Sequence, residues 1–255
     1  MTEKELAKRL YQSHHWTVLN EPIAQNTDHA LAQDAALLKQ VAKGEQPATI
    51  RLWECPQSLI VSRKEAKLPF FAQACQTLSQ LDWPVSVRDS GGTAVPHGPG
   101  ILNFSLIFAQ TKSQALDVDE IYIALCEPIR SALNNLGIQS EYGETPGAYC
   151  DGRFNLNIES LKVTGTAQRI ALSSTNNHGL HRGILAQAMI MVEADPQHTT
   201  AIVNQFYRLS GADNLYDPAA STSVDRHLSG SYTPGKLTQV LRQELLLNIE
   251  GFRGT

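Results

Sequence analysis

The chain has 255 residues, of which 42% are apolar and 18% charged, a balance that supports a packed core and excludes disorder over most of the length. Its 21 Lys and Arg against 25 Asp and Glu leave a formal charge of -4, without the basic excess that drives nucleic-acid binding. No apolar run approaches the ~20 residues of a membrane span, so neither nucleic acid nor membrane is an expected partner.

The opening stretch from Met1 to Leu10 is charged and amphipathic, unlike a secretory leader, which predicts a cytoplasmic protein. Residues 1–27 lack a sustained period, although Leu6, Leu10 and Tyr11 could begin one helical face, and read as an N-terminal extension. A helix is signalled from Thr27 by an apolar stripe of Leu31, Ala35, Leu38 and Ala42, with Gly44 as its stop. Ile50 to Glu54 and Leu59 to Ser62 read as two strands of a hairpin turning at Cys55-Pro56. A helix over 70–81 leads to a short alternating strand, Pro84 to Arg88, and a glycine-rich loop. Ile101 to Phe108 is a nearly continuous apolar run, which predicts a central strand covered on both faces. Val118, Ile121, Leu125, Ile129 and Leu133 mark a long helix with Pro128 as an irregularity. Three strands follow, over 154–158, 161–172 and 184–192, then helical spacing over 196–207, 219–228 and 234–249, with Thr233 able to cap the last and Pro234 suited to its first position. Interleaved strands and helices with frequent hairpins predict an α+β fold whose largely antiparallel, mixed sheet is flanked by helices. Residues 211–255 read as a C-terminal helical extension.

Several patterns are decoys. Gly230 to Lys236 has the glycines and lysine of a phosphate loop, yet Leu237 stands where Ser or Thr should hold magnesium, and the preceding segment is polar. His14 and His15 point apart, and His178 and His181 lack a carboxylate at a ligand spacing. Cys55, Cys75, Cys126 and Cys150 form no CxxC pair, so free thiols and no metal site are expected.

Three stretches carry chemistry. Arg88-Asp89-Ser90-Gly91-Gly92-Thr93 joins a forked cation to paired glycines that let backbone approach a ligand. Cys150 lies between Pro146-Gly147 and Asp151-Gly152, a loop setting where a thiol can be reached, unlike the usual buried cysteine. Lys162 enters a small-residue, strand-like segment too apolar for a freely solvated amine; with its head in a cleft it can polarise a carbonyl and favour a thiolate.

Taken in order, Arg88 to His97 with Leu102-Asn103-Phe104-Ser105, then Lys162-Val163-Thr164-Gly165-Thr166-Ala167-Gln168-Arg169, then His181-Arg182-Gly183-Ile184-Leu185 resemble the signature blocks of the lipoate-protein ligase and octanoyltransferase superfamily, which also holds the biotin ligases. The resemblance covers about residues 28–210 and implies a biotin/lipoate ligase-like catalytic domain there. Gly147 to Leu156, ahead of the lysine block, is most similar to the cysteine-dependent branch that moves octanoyl groups between lipoyl carrier proteins. The resemblance implies that Cys150 is the acylated nucleophile and Lys162 its electrostatic partner. It also implies that Arg88, Ser90, Gly91, Gly92, His97, Asn103, Gly165, Thr166 and Ala167 bind substrate, with Ile101 to Phe108 walling the acyl slot.

The implied activity is transfer of an octanoyl or lipoyl group, through a thioester, to a lysine of lipoyl carrier domains such as the glycine cleavage H protein and the acyltransferase subunits of 2-oxo acid dehydrogenases, without a cofactor. Gly98 stands where the ligases usually carry an acidic residue, whereas His181 to Leu185 is more ligase-like. The alternatives are therefore an ATP- and magnesium-dependent lipoate-protein ligase working through an acyl-adenylate, and a non-catalytic acyl- or carrier-binding module.

Overall fold

The computed structural model describes the backbone of residues 1–111, 113, 115–175 and 179–254, and the side chains of these residues except 173–175 and 179–181. Among the described residues the elements run α1 Glu3–Gln12, β1 Trp16–Asn20, α2 Thr27–Ala42, β2 Ala48–Trp53, β3 Ser58–Ser62, α3 Phe71–Gln80, β4 Val85–Arg88, β5 Val95–His97, β6 Ile101–Thr111, α4 Val118–Asn135, β7 Glu141–Tyr142, β8 Leu156–Ile158, β9 Leu161–Thr175, β10 Gly179–Met191, α5 Pro196–Ser210 and α6 Lys236–Arg253. The larger sheet has the order β1-β2-β6-β10-β9-β8-β7 and the smaller β4-β3-β5. Only β1 with β2 and β3 with β4 pair in parallel; the other described pairings are antiparallel. The mixed, largely antiparallel sheet flanked by helices is therefore the observed architecture.

Period-two alternation explains how the large sheet is covered on both sides. Leu102, Phe104, Leu106 and Phe108 of β6 turn to one face, where they join Ile184, Ile190 and the apolar stripes of α1, α4 and α6 in the main core. On the other face α2 packs on β6 and β10 through Leu38, Val41, Ile107 and Leu185. Beside it the small sheet, α3 and α5 close over Ile101, Met189 and Met191. Gly183 is the point of closest approach to α2: a Cβ there would stand 2.6 Å from the Ala42 Cβ and 3.0 Å from Leu38 Cδ1. Gly183→Ala should thus overpack this contact and cost about 1–3 kcal/mol in denaturant unfolding, without change in far-UV ellipticity.

The structure corrects several local expectations. Residues 1–27 carry a capped helix, with Thr2 and Glu5 forming a capping box, and a strand that extends the large sheet; Ala7, Tyr11 and Trp16 are core residues. The segments at 50–54 and 59–62 form no hairpin, because β2 pairs with β1 and β6 while β3 pairs with β4 and β5. Residues 219–228 hold two short 3-10 turns, Pro218–Ala220 and Val224–His227, in place of a helix. Asn26, one residue earlier than expected, caps α2.

Helix α6 starts from Gly235 in a left-handed conformation, with Pro234 outside it and no side-chain cap from Thr233. Leu237, Leu241, Leu245, Ile249 and Phe252 bind it into the main core. Its first N–H groups belong to Glu193, whose carboxylate accepts from Gly235 N at 3.1 Å and from Thr238 N at 2.9 Å. An internal anion already occupies what a phosphate loop would offer to a ligand. His14 packs against Trp16 and Phe108, and His178 lies outside the described residues.

Candidate active site

The two sheets border a partly open slot, about 510 Å³ with the solvent space at its mouth included. Strand register builds one wall as two rungs: Trp53, Asn103, Met189 and Gly165 are cross-strand neighbours, and so are Arg51, Ser105, Gln187 and Ala167. All but Arg51 line the slot, and Ile60, Arg88, Val95 and His97 of the small sheet face them. The expectation that Ile101 to Phe108 gives an apolar wall needs correction: β6 presents only Asn103 and Ser105, since its large apolar residues at even positions point into the opposite core.

Polar atoms behind this wall are tied down. Asp34 takes the Arg51 guanidinium on one oxygen at 2.7 Å, and Ser105 Oγ and Gln187 Nε2 on the other at 2.8 and 2.7 Å. Trp53 Nε1 donates to Ser105 Oγ at 3.1 Å. Burial raises the Asp34 pKa against the pull of Arg51. Burial, helped by the Arg88 charge, pushes His97 down to about 4, so a neutral imidazole stacks on Trp53 with centroids 6.0 Å apart.

At one end of the slot stands Cys150, half-buried and with φ of 50°. A non-glycine residue in this region carries strain of about 1–3 kcal/mol, held by its surroundings, and here the holding groups are clear. The Cys150 N–H donates to Thr93 Oγ1 at 2.7 Å, while the Cys150 carbonyl accepts from Asn155 Nδ2 at 3.0 Å and from Lys162 Nζ at 2.8 Å. Lys162 also donates to the Tyr149 carbonyl. Asn155 is itself held by the Thr166 N–H at 3.1 Å.

Lys162 is 2% exposed, and burial pushes it down to about 8, opposed by the charges of Cys150 and Asp151. The ammonium is thus not free in a cleft as expected from sequence. It lies under the Cys150 loop and spends two of its three N–H groups on consecutive carbonyls. A Cβ on Gly165 would come within 3.3 Å of Nζ, which explains the glycine of the lysine block.

The glycine loop meets this loop directly. A Cβ on Gly92, whose φ is +101°, would stand 2.8 Å from Cys150 Sγ and 3.0 Å from Arg88 Nη2. Arg88 is buried and lines the slot, but its fork is committed to backbone: Nη1 donates to Ile60 O at 3.1 Å, and Nη2 to Gly91 O and Thr93 O at 3.1 and 2.7 Å. It holds the loop in place and sets a positive charge beside the sulfur. Glu65 secures the other side of the loop, accepting from the Ala94 N–H at 2.8 Å and from the Tyr207 hydroxyl.

Of the residues singled out by sequence, Arg88, Ser90, His97, Asn103, Cys150, Gly165, Thr166 and Ala167 line the slot. Gly91 and Gly92 border an adjacent groove that shares Cys150, and Lys162 acts from beneath. Gly98, with φ of +152°, has no room for a side chain, because a Cβ would meet Gln57 Cα at 3.1 Å. Sequence reasoning missed Trp53, Met189 and Gln187, which carry no local signal, and Thr93 and Asn155, which sit inside blocks already singled out.

Fold and site together define a lipoate-ligase-like catalytic domain, built around a slot with a thiol at one end and a buried amine under the thiol's loop. The family described as "Lipoyl protein ligase A/B catalytic domain" matches residues 26–246, and the chain belongs to it. A relative from Kyrpidia tusciae, "Octanoyl-[GcvH]:protein N-octanoyltransferase", is 33% identical over 82% of this chain and 72% of its own length. One of the same name from Anoxybacillus flavithermus is 28% identical over 95% of this chain and 83% of its own length. The fold is also that of a putative lipoate protein ligase from T. acidophilum solved with bound lipoic acid, with a TM-score of 0.65 at 18% identity over 94% of this chain and 85% of that one. Among the described residues no helix is long and apolar enough to cross a membrane, and no three His, Cys, Asp or Glu side chains gather as a metal site.

Proposed function

We propose that this protein is an acyltransferase that takes an octanoyl group from a lipoyl carrier protein, the donor named in its relatives, and passes it to a lysine of a second lipoyl carrier domain. Donors and acceptors of this kind are the glycine cleavage H protein and the acyltransferase subunits of 2-oxo acid dehydrogenases. A lipoyl group of the same length fits the same scheme. The observation that carries the reading is the Cys150 sulfur at the end of the slot, beside Arg88 and on a turn whose carbonyls Lys162 holds.

In the first half-reaction the Cys150 thiolate attacks the acyl carbonyl of the donor amide. A C–S bond forms, the C–N bond breaks, and the lysine nitrogen leaves as the amine, taking up the proton that the Cys150 thiol gave up on ionising. In the second, an acceptor amine attacks the thioester; a C–N bond forms and the thiolate is released. Splitting one difficult amide exchange into two steps is the benefit of a covalent intermediate. One amide replaces another, so the exchange needs no ATP and no cofactor. The acyl tail lies in the slot, where burial contributes about 0.8 kcal/mol per methylene, several kcal/mol for eight carbons. The reading sets the reaction in the cytoplasm, where a thiol stays reduced.

The ligase alternative rests on the His181 to Leu185 block and on the fold, but Gly183 has a packing explanation that any chemistry would share. The expected result with octanoylated carrier and no ATP is a mass increase on Cys150 followed by transfer to a second carrier domain. Strict dependence on ATP, magnesium and free lipoate, with Cys150→Ala still active, would reject the transferase in favour of the ligase. Binding of octanoate without any transfer would leave a binding module.

A further inference from the structure

The slot and a second depression meet at the nucleophile. Cys150, Thr166 and Ala167 line both the slot and an open groove of about 860 Å³, whose other walls include Val118, Tyr122, Asp151 and Phe154. With the acyl tail in the slot, an incoming amine needs a separate route to the thioester carbonyl, and this groove also borders Cys150. A third depression, bordered by Arg63, Asp89 and Arg169, joins the slot through Leu31, Arg88, Ser90 and Gln187 and does not include Cys150.

The groove suits an aliphatic amine. Tyr122 and Phe154, which stack with centroids 5.0 Å apart at 11°, both line the groove and give it an aromatic side along which a methylene stem can pack. Val118 at the rim is 40% exposed. The exposed Asp151 carboxylate accepts from the N–H groups of Thr145 at 2.7 Å and Gly152 at 2.9 Å, and its charge also acts on the buried Lys162. The rim cation Arg153 is paired with Asp119 and lies over the Phe154 ring, 4.6 Å from its centroid. The rim thus keeps one carboxylate for a lysine ammonium, the form that dominates near neutral pH.

We infer that the Tyr122–Phe154 groove is where the lysine of the acceptor carrier domain enters, its stem along the aromatic pair and its nitrogen arriving at the acylated Cys150 by a route separate from the acyl tail. The inference rests on the thioester reading above. The ammonium first gives one proton to solvent; attack by the neutral amine then forms the C–N bond and breaks the C–S bond, and the second proton ends on the departing sulfur.

The experiment first loads the enzyme with octanoylated carrier, then measures discharge of the Cys150 adduct to an apo-carrier domain and, separately, to hydroxylamine, which needs no docking. Val118→Arg, which fills the rim from an exposed position, and Tyr122→Ala should each slow discharge to the carrier at least 10-fold through a higher KM, while discharge to hydroxylamine changes less than twofold. Tyr122→Phe should restore carrier discharge. Unaltered carrier discharge in both variants, or equal slowing toward both nucleophiles, would overturn the groove assignment. Slowing by Arg63→Ala alone would move the entry to the third depression. Absence of any adduct in the unaltered enzyme would overturn the thioester reading and this inference with it, a result seen before any discharge is measured.

Discussion

Cys150→Ala is expected to abolish octanoyl transfer while leaving the fold intact. The variant keeps the backbone bonds that hold the turn, since Thr93, Asn155 and Lys162 all bind main-chain atoms of residue 150. What disappears is the nucleophile, so transfer should fall below detection and no acyl adduct should form. Cys150→Ser should be nearly as inactive, because a hydroxyl lacks the readily ionised sulfur of a thiol. Retention of transfer by Cys150→Ser, with no adduct on the unaltered enzyme, would sink covalent catalysis. Tight binding of octanoylated carrier by an inactive Cys150→Ala would show that the slot survives and that chemistry alone was lost.

Lys162→Met should lower transfer about 100-fold or more, the scale of losing one preorganised donor at a developing oxyanion. Two effects combine. The positive charge beside the thiol is removed, and the Tyr149 carbonyl loses its Lys162 donor while the Cys150 carbonyl keeps only Asn155. The pH dependence gives a second readout. With Lys162 pushed down to about 8 by burial, its charge is present below that pH and lost above it, so the unaltered enzyme should show an alkaline decline near pH 8 that is absent from the residual activity of Lys162→Met. Stability should move the other way. The folded-state pKa lies below the unfolded value near 10.4, so the cost of burying the ammonium is complete below about 8 and is relieved as pH rises toward 10.4. Comparing denaturant midpoints of the two proteins across that window checks the sign. A profile unchanged by the substitution would mean that Lys162 only supports the loop.

The same local logic explains which elements were legible. Helices α2 through α5 announce themselves because their apolar stripes and stops are set by neighbours three or four residues away. The run from Ile101 to Phe108 marks β6 for a similar reason. The turn at Cys55-Pro56 was also read correctly as a turn, but a turn does not say which strands pair after it. β2 and β3 diverge into different sheets because β6 and β4 compete for their edges. Trp16 to Asn20 looked like an unpatterned tail because an edge strand, paired on one side only, needs no strict alternation.

Sequence alone singled out the candidate residues that the structure gathers at or beside the slot: the glycine loop from Arg88, Cys150 with its flanking glycines, and Lys162 in a block too apolar for a solvated amine. These were readable because the residue types are unusual for their local settings. Only the tertiary structure decided what they do to one another. Lys162 turned out to grip the backbone of Cys150, Arg88 to be committed to the glycine loop, and the slot wall to be assembled from Trp53 of β2, Asn103 of β6 and Gln187 and Met189 of β10, strands distant in sequence. Such rungs arise from register across four neighbouring strands, a long-range property that hydrophobic periodicity within any one strand does not encode.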